Sequence, residues 1–244
     1  MSEAVVILRP DWDVAGVNAG FTLRTGGVSA PPYDSLNLAL HVGDDPGRVR
    51  DNRRRFVEAA GLAKAPRWLS QVHGNRVAHI GDVDGDVTEA DAVWSDRPDE
   101  PCAVLIADCL PVLIAAGDGC CVAAVHAGWR GLASGIIKNT IAALPCSAST
   151  LTACVGPGIT APVFQVGLEV VAAFREAGVE PVGTCDGATA WLDLHATAAQ
   201  LLRECGVASV VDYSICTFND PAGFYSYRRD RTTGRFAGFI ALSP

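Results

Sequence analysis

The stretch "CAVLIADCLPVLIAAGDGCCVAAVHAGWRGL", residues 102–132, decides the fold. It contains three short apolar runs that are separated by turn residues around Asp108 and Asp118. Short apolar runs bounded by turns are typical of strands that are buried on both faces. Apolar residues then recur at helical spacing from Leu132 to Leu144. The stretch therefore predicts three buried strands followed by a helix, with His126 at the end of the third strand.

The rest of the chain adds helices and strands in an order that does not alternate strictly. We predict helices over residues 48–62, 163–178 and 191–206, each of which reaches a glycine that can end it. We predict strands in residues 21–25, two strands in 67–82 and two strands in 224–242. This mixture predicts an α+β fold in which helices cover a sheet core. No change in composition marks a boundary, so residues 1–244 are predicted to form a single domain.

Composition narrows the classes of function. A chain of 244 residues that is 49% hydrophobic can bury a substantial core without disulfides. Its net charge of -8 argues against a sequence-independent nucleic-acid binder, which needs a basic face. The sequence shows neither a signal peptide nor an apolar run of the roughly 20 residues that cross a bilayer, so we expect no membrane association and a cytoplasmic location.

Nine cysteines, an odd number without a CxxC pair, do not suggest a disulfide framework. We interpret most of them as small buried residues. Cys120 and Cys121 are adjacent, which suits neither an ordinary disulfide nor a chelating pair, so we expect both to face the core. The sequence also lacks the Walker A, GxGxxG, HExxH and GxSxG motifs. Their absence disfavours nucleoside triphosphate hydrolysis, dinucleotide redox chemistry and serine hydrolysis.

Two of the five histidines stand at strand ends beside glycine. They are His73 and His126, and Cys109 occupies the matching place after the first strand of the opening stretch. Two imidazoles and one thiolate make a three-ligand zinc set with an open fourth position, as in catalytic sites. A Cys/His nucleophilic pair and unrelated packing remain open as alternatives. By contrast, His79 in a strand and His195 in a helix are interpreted as ordinary packed residues.

Two charged residues flank the candidate ligands. Asp108 could orient a ligand or a substrate hydroxyl, or it could only cap a turn. Arg130 in the first helical turn after His126 could bind an anion, or it could pair with a surface carboxylate.

Six segments in a fixed order resemble one known family. These segments are "FTLRTGGVSAPPYDSLNLALHVGDD", "QVHGNRV", "ADCLPVLI", "AVHAGWRGL", "VGPGI" and "FYSYRRDRTTGR", which span about residues 20–240. Together they resemble the YfiH-type laccase-domain family, also called polyphenol oxidases or purine nucleoside phosphorylases. The resemblance implies that His73, Cys109 and His126 hold a catalytic zinc ion. It also implies mixed sheets sandwiched by helices in a single layered domain, similar to a toxin deamidase fold.

The resemblance further implies a zinc-dependent purine nucleoside phosphorylase that acts on adenosine, inosine and methylthioadenosine, with adenosine deamination as a second activity. Its partners would be purine nucleosides and phosphate. Phosphorolysis needs cations that cradle phosphate. The candidates for this role are Arg24, Arg130, Arg228 and Arg229. Polar residues in the same segments are the candidates for the pocket wall: Asn37, His41, Gln71 and Tyr227.

Three other functions are alternatives to this one. Multicopper oxidation needs on the order of ten histidines, and the chain has five, although copper could still occupy the His/Cys/His site. A hydrolase that edits misincorporated peptidoglycan precursors would use the same zinc, and phosphate dependence separates it from a phosphorylase. The open coordination position argues against a non-catalytic, zinc-stabilised interaction protein.

Overall fold

The computed structural model describes residues 3–12 and 14–243. Its helices are α1 (Pro46–Ala60), α2 (Trp129–Ser134), α3 (Ile136–Ala143), α4 (Leu168–Glu176), α5 (Leu194–Glu204) and α6 (Tyr227–Asp230). Its strands are β1 (Ile7–Leu8), β2 (Val17–Thr22), β3 (Val77–His79), β4 (Ala92–Ser95), β5 (Cys102–Ile106), β6 (Leu110–Ala116), β7 (Val122–Ala127), β8 (Leu151–Val155), β9 (Gln165–Gly167), β10 (Gly183–Asp186), β11 (Thr189–Leu192), β12 (Ser209–Asp212) and β13 (Phe236–Leu242). No helix in residues 3–12 or 14–243 is long and apolar enough to cross a membrane.

Two sheets pack face to face at the centre of the molecule. The larger sheet has the strand order β12-β8-β6-β7-β4-β3, and the smaller has the order β1-β2-β13-β5. Side chains alternate along each strand, so Leu113 of β6 and Val104 of β5 meet in the layer between the sheets. Val112 and Ile114, the neighbours of Leu113, point to the opposite face of the larger sheet.

Helices cover both outer faces of this pair of sheets. Helices α2 to α5 pack on the larger sheet through residues such as Ile136, Phe174 and Leu202. Helix α1 packs Phe56 on the smaller sheet, against Phe239 of β13. The order helix, sheet, sheet, helix confirms the predicted α+β sandwich. It also explains why β5, β6 and β7 are apolar along their whole length, because each has one face against the other sheet and one against helices.

The chain crosses from the smaller sheet to the larger one between β5 and β6. β5 pairs with β13, whereas β6 pairs with β7 and β8. The crossing segment, residues 107–109, therefore lies at the edge where the two sheets meet. This edge is where the candidate functional residues gather.

Several predicted elements differ in extent from the observed ones. The helix predicted after His126 is two helices, because Gly135 adopts a left-handed φ of 94° between α2 and α3. The predicted helices 163–178 and 191–206 begin only at Leu168 and Leu194, and the residues before them form β9 and β11. These short apolar segments pair with each other in a three-stranded sheet with β10, which a helical periodicity does not reveal.

Three local predictions are wrong. Residues 67–76 form no strand beyond a bridge of Ser70 to Glu89. The basic segment predicted as a strand is helix α6, because the Ser226 side chain accepts a hydrogen bond from the backbone N–H of Arg229 and caps a turn. Cys120 is exposed at the tip of the β6–β7 hairpin, whereas Cys121 is buried as predicted.

Candidate metal centre and substrate cleft

His73, Cys109 and His126 converge at the edge where the two sheets meet. The side-chain donor atoms of the three residues all lie within 4.8 Å of one another. The two imidazole rings meet edge to face, with their centroids 4.8 Å apart. His126 is in β7, Cys109 precedes β6, and the register of these strands pairs His126 with Pro111. The two ligands thus come together through strand pairing, and His73 arrives from a loop before β3.

These donors fit one metal ion. Ligand atoms on tetrahedral zinc are separated by roughly 3.5 Å, so small side-chain adjustments bring the three donors onto one ion. Gly128 leaves the space that this arrangement needs, because a methyl group there would lie 2.8 Å from the Cys109 Sγ. His126 and Cys109 are largely buried, whereas His73 is exposed on the cleft side. The set would therefore hold an ion on its buried side and leave the side toward the cleft open.

Electrostatics favour the thiolate form of Cys109. Burial alone would raise its pKa, but the neighbouring His126 and His73 outweigh burial and lower the pKa to about 6. Burial opposes protonation of His126 too, yet Cys109 and Asp91 raise its pKa to about 9. Without a metal, the two residues form a thiolate–imidazolium pair at neutral pH. Because the thiolate is the form of cysteine that binds metals, the site is prepared for a cation.

Asp91 holds both histidines in place. Its Oδ1 accepts hydrogen bonds from the His126 Nδ1 at 2.8 Å and from the His73 backbone N–H at 2.9 Å. Its Oδ2 accepts from the backbone N–H groups of Gly74 and Val72. Burial opposes ionisation of Asp91, but these hydrogen bonds keep its pKa below the ordinary value. With Nδ1 engaged, His126 turns its Nε2 toward the metal position.

The sequence prediction missed Asp91, and the carboxylate it considered, Asp108, has other partners. Asp108 accepts hydrogen bonds from the Thr217 hydroxyl and from the backbone N–H of Arg228. It adopts a left-handed φ of 97°, as His73 does at 59°, so both sides of the ligand set carry strained backbone. The only signal for Asp91 was its position directly before a strand.

The open side of the ligand set faces a cleft of about 480 Å³. Its wall combines the three ligands with aromatic, polar and basic side chains. The lining residues predicted from sequence are His41, Gln71, Arg130, Tyr227 and Arg228. Two further arginines, Arg231 and Arg235, also line it and were not predicted.

Four arginines give the cleft wall a positive charge. They are Arg130, Arg228, Arg231 and Arg235, and none has a carboxylate at ion-pair distance within the part of the chain that the structure describes. Arg228 donates to the backbone oxygens of Val163 and Gln165, which fixes its guanidinium beside Phe164. Burial lowers the pKa of Arg235, although this residue stays charged at neutral pH. Cations without paired anions favour binding of a negatively charged ligand.

Two polar residues of the cleft have defined local roles. The Gln71 amide exchanges two hydrogen bonds with the backbone of Leu105, which ties the His73 loop to β5. Burial, and then the charge of Arg235, lower the pKa of His41, which favours its neutral imidazole form. Tyr227 lies at the rim and is 50% exposed.

Three of the predicted residues do not reach the cleft. Arg24 pairs with Asp34 and donates to the backbone of Pro221. Arg229 donates to three backbone oxygens, those of Thr217, Phe218 and Phe224. Asn37 is fully buried, and its Oδ1 accepts from the backbone N–H of Arg235. Their side chains hold loops that surround the cleft.

Comparison with known proteins gives one consistent result. The model of a family described as multi-copper polyphenol oxidoreductase laccase matches residues 18–243. An Escherichia coli protein named purine nucleoside phosphorylase YfiH is 42% identical over 99% of this chain and 100% of its own length. A Pseudomonas aeruginosa protein that is also named a purine nucleoside phosphorylase is 44% identical over 96% of this chain and 98% of its own.

Solved structures agree with this result. A crystal structure of a Neisseria meningitidis protein superimposes with a TM-score of 0.91 at 40% identity, covering 99% of this chain and 100% of that one. The crystal structure of YlmD from Geobacillus stearothermophilus gives 0.90 at 31% identity, covering 100% of this chain and 98% of that one.

Proposed function

Because the chain belongs to the multi-copper polyphenol oxidoreductase laccase family, and its full-length relatives are named purine nucleoside phosphorylases, we propose that it is a zinc-dependent purine nucleoside phosphorylase. The observation that carries the proposal is the single His/Cys/His donor set that opens into an arginine-lined cleft. The family's description does not change this, since the donors form one three-ligand group and the chain's five histidines are too few for a multicopper cluster.

Phosphorolysis assigns a task to each side of the cleft. A phosphate oxygen attacks C1′ of the ribose, the bond from C1′ to the purine nitrogen breaks, and the base leaves with a proton. The positive charges of the cleft arginines would hold the phosphate and offset its negative charge. These arginines are Arg130, Arg228, Arg231 and Arg235. His73, Cys109 and His126 would hold Zn²⁺, which supplies Lewis-acid activation to a bound polar group. Asp91 would fix the geometry of the two histidines.

We propose adenosine deamination as a second activity of the same cleft. Water adds at C6 of the purine and ammonia leaves, so the product is inosine. His41, a residue of the cleft wall whose pKa is lowered by burial, can accept or relay the proton of that water. Adenosine, inosine and methylthioadenosine are the proposed substrates.

The free thiols of all nine cysteines fit the proposed cytoplasmic location, where thiols stay reduced.

A nucleoside panel tests the activity. The three nucleosides are incubated with the zinc-loaded protein, with and without phosphate, and the free base, ribose 1-phosphate and ammonia are measured. We expect base and sugar phosphate only when phosphate is present. Base release that does not depend on phosphate would replace phosphorolysis by hydrolysis, and no product from any nucleoside would remove the proposal.

Metal analysis tests the ligand set separately. We expect Cys109→Ala to lose the stoichiometric zinc of the wild-type protein, while the exposed Cys185→Ala control retains it. Equal zinc in both variants would show that Cys109 is not a ligand.

The proposed role of the cleft arginines in binding phosphate predicts a change in the KM for phosphate. Loss of one charge-assisted hydrogen bond costs about 1.5–3 kcal/mol, so Arg130→Gln should raise the KM for phosphate by roughly 10- to 100-fold. The exposed Arg97→Gln serves as the control, because Arg97 lies outside the cleft. An unchanged KM for phosphate in Arg130→Gln would show that Arg130 does not bind phosphate.

A further inference from the structure

A second cluster of sulfur atoms lies at the far end of the β6–β7 hairpin. The Sγ atoms of Cys121 and Cys146 are 3.6 Å apart, and those of Cys120 and Cys121 are 3.8 Å apart. All three sulfur atoms lie within 4.8 Å of one another. Cys120 and Cys121 close the hairpin turn, and Cys146 follows α3, so residues from two separate parts of the chain bring the thiols together.

We propose that Cys120, Cys121 and Cys146 form a second metal site, in which three thiolates bind one soft monovalent cation of the Cu(I) class. This site is independent of the proposed phosphorylase activity. Six paired positions of β6 and β7 lie between this site and Cys109. At the rise of a β-strand, they correspond to a distance of about 20 Å.

The spacing of the sulfur atoms fits one ion. Metal–thiolate bonds of about 2.3 Å place three sulfurs roughly 4 Å apart when they surround an ion in one plane. The observed separations of 3.6 and 3.8 Å need only small movements to reach this geometry. An all-sulfur set selects soft cations. Cu(I) accepts three thiolates, and the cluster offers three sulfur donors in the residues that the structure describes.

The hairpin turn holds two of the sulfurs in position before any ion binds. Cys121 accepts a backbone hydrogen bond from Ala116, and Gly119 donates one back to Ala116. The Asp118 carboxylate accepts from the backbone N–H of Cys120. Cys121 is fully buried and Cys120 is exposed, so one sulfur forms the floor of the site and another faces solvent. An ion can therefore enter from solvent without opening the core.

Metal binding at these sulfurs is coupled to the release of protons, because the thiolate is the form of cysteine that binds metals. Each sulfur that carries a proton gives it up to solvent when it binds the ion. Release of protons therefore accompanies Cu(I) binding.

Anaerobic titration with Cu(I) against a coloured Cu(I) chelator tests the proposal. We expect the wild-type protein to bind one equivalent more than Cys120→Ser/Cys146→Ser, a variant that removes the two solvent-accessible sulfurs and leaves the buried Cys121 in the core. Each single variant should lower the affinity for this additional Cu(I) ion by at least roughly 10-fold, because loss of even a supporting group costs a metal site that much. Cys185→Ser, which removes an exposed thiol elsewhere, should match the wild type.

Two further measurements separate the sites and the alternatives. Cys109→Ser should lose a Cu(I) ion at the other site. When it is combined with the double variant, the two losses of bound Cu(I) should therefore add. Equal Cu(I) binding by the double variant and Cys185→Ser would overturn the proposal. A Cys121–Cys146 disulfide in protein purified anaerobically with reductant would also overturn it, because the pair would then close on itself.

Discussion

At the scale of single residues, Asp91 connects parts of the site that are far apart in sequence. It contacts the ring of His126 and the backbone of the His73 loop, and both of its oxygens accept hydrogen bonds. An asparagine has only one accepting oxygen, so its NH₂ group would face at least one of these N–H donors. A carboxylate is therefore required here, and an amide of the same shape does not replace it.

Asp91→Asn should weaken zinc binding by roughly 10- to 100-fold, as loss of an outer-shell partner does elsewhere. The metal affinity is measured by competition with a chelator, and circular dichroism establishes that the variant is folded. Asp96→Asn is the matched control, because Asp96 accepts from His79 in a solvent-exposed pair outside the cleft. If both variants bind zinc as the wild type does, Asp91 does not position the ligands.

Gly128 acts through the space it leaves. Its φ of -77° is open to any residue, so an alanine there adds contact without backbone strain. Gly128→Ala would place a methyl group against the Cys109 Sγ and the His73 ring, which should displace a ligand and lower the zinc content. Zinc analysis and chelator competition measure the effect. Gly117→Ala, which meets its nearest atom at 3.3 Å and lies away from the cleft, should keep full zinc.

At the scale of elements, a partly buried hydrogen bond joins helix α5 to strand β12. The Nδ1 of the buried His195, a residue predicted to be ordinary packing, donates to Asp212 at 2.8 Å. Burial opposes ionisation of Asp212, but the bonds from His195 and Ser214 lower its pKa below the ordinary value. A carboxyl group with a lowered folded-state pKa stabilises the fold above its unfolded pKa and loses that contribution as the pH falls through the folded value.

Asp212→Asn should therefore reduce the free energy of unfolding at pH 7 by about 1 kcal/mol, because the amide oxygen can still accept from His195 but the charge that strengthens this hydrogen bond is lost. The difference from the wild type should shrink as the pH falls below about 4, where the wild-type carboxylate begins to take up a proton. Urea unfolding at several pH values measures this difference. A difference that stays constant down to the acid range would show that Asp212 does not contribute through its charge.

At the scale of the whole molecule, the fold depends on how closely the two sheets approach. Gly156 follows β8 of the larger sheet, and a methyl group at its Cα would lie 2.2 Å from the ring of Phe21 in the smaller sheet. Phe21 is fully buried, so it cannot move aside into solvent. Gly156, the first glycine of the "VGPGI" segment, therefore sets the distance between the two sheets at this point.

Gly156→Ala should destabilise the protein by about 1–3 kcal/mol, the usual cost of overpacking a core. Phe21→Leu removes the ring that the methyl group would meet, so the double variant Gly156→Ala/Phe21→Leu should lose less stability than the two single changes added together. Chemical denaturation of the four proteins measures the coupling. Simple additivity would show that the two residues do not meet across the sheets.

Local sequence patterns specify the features that depend on neighbouring residues. Continuous apolar runs predicted β5, β6 and β7, helical spacing predicted α1, and a nearby glycine selected His73 and His126, although of these two only His126 lies at the end of a strand. Each of these signals is local, because hydrophobic periodicity follows from how one segment presents its faces. The same signals failed at α6 and Gly135, where a side-chain cap and a left-handed residue decide the backbone.

The distant residues of the site come together only when the chain folds. Asp91 then lies buried behind the two histidines, Arg231 and Arg235 line the cleft, and Arg24 and Arg229 stay outside it. The physical reason is that contacts between residues far apart in the chain depend on the order of strands in the two sheets, and no segment's own pattern contains that order. The donor set exists because β6 pairs with β7 at the edge where the chain crosses between the sheets.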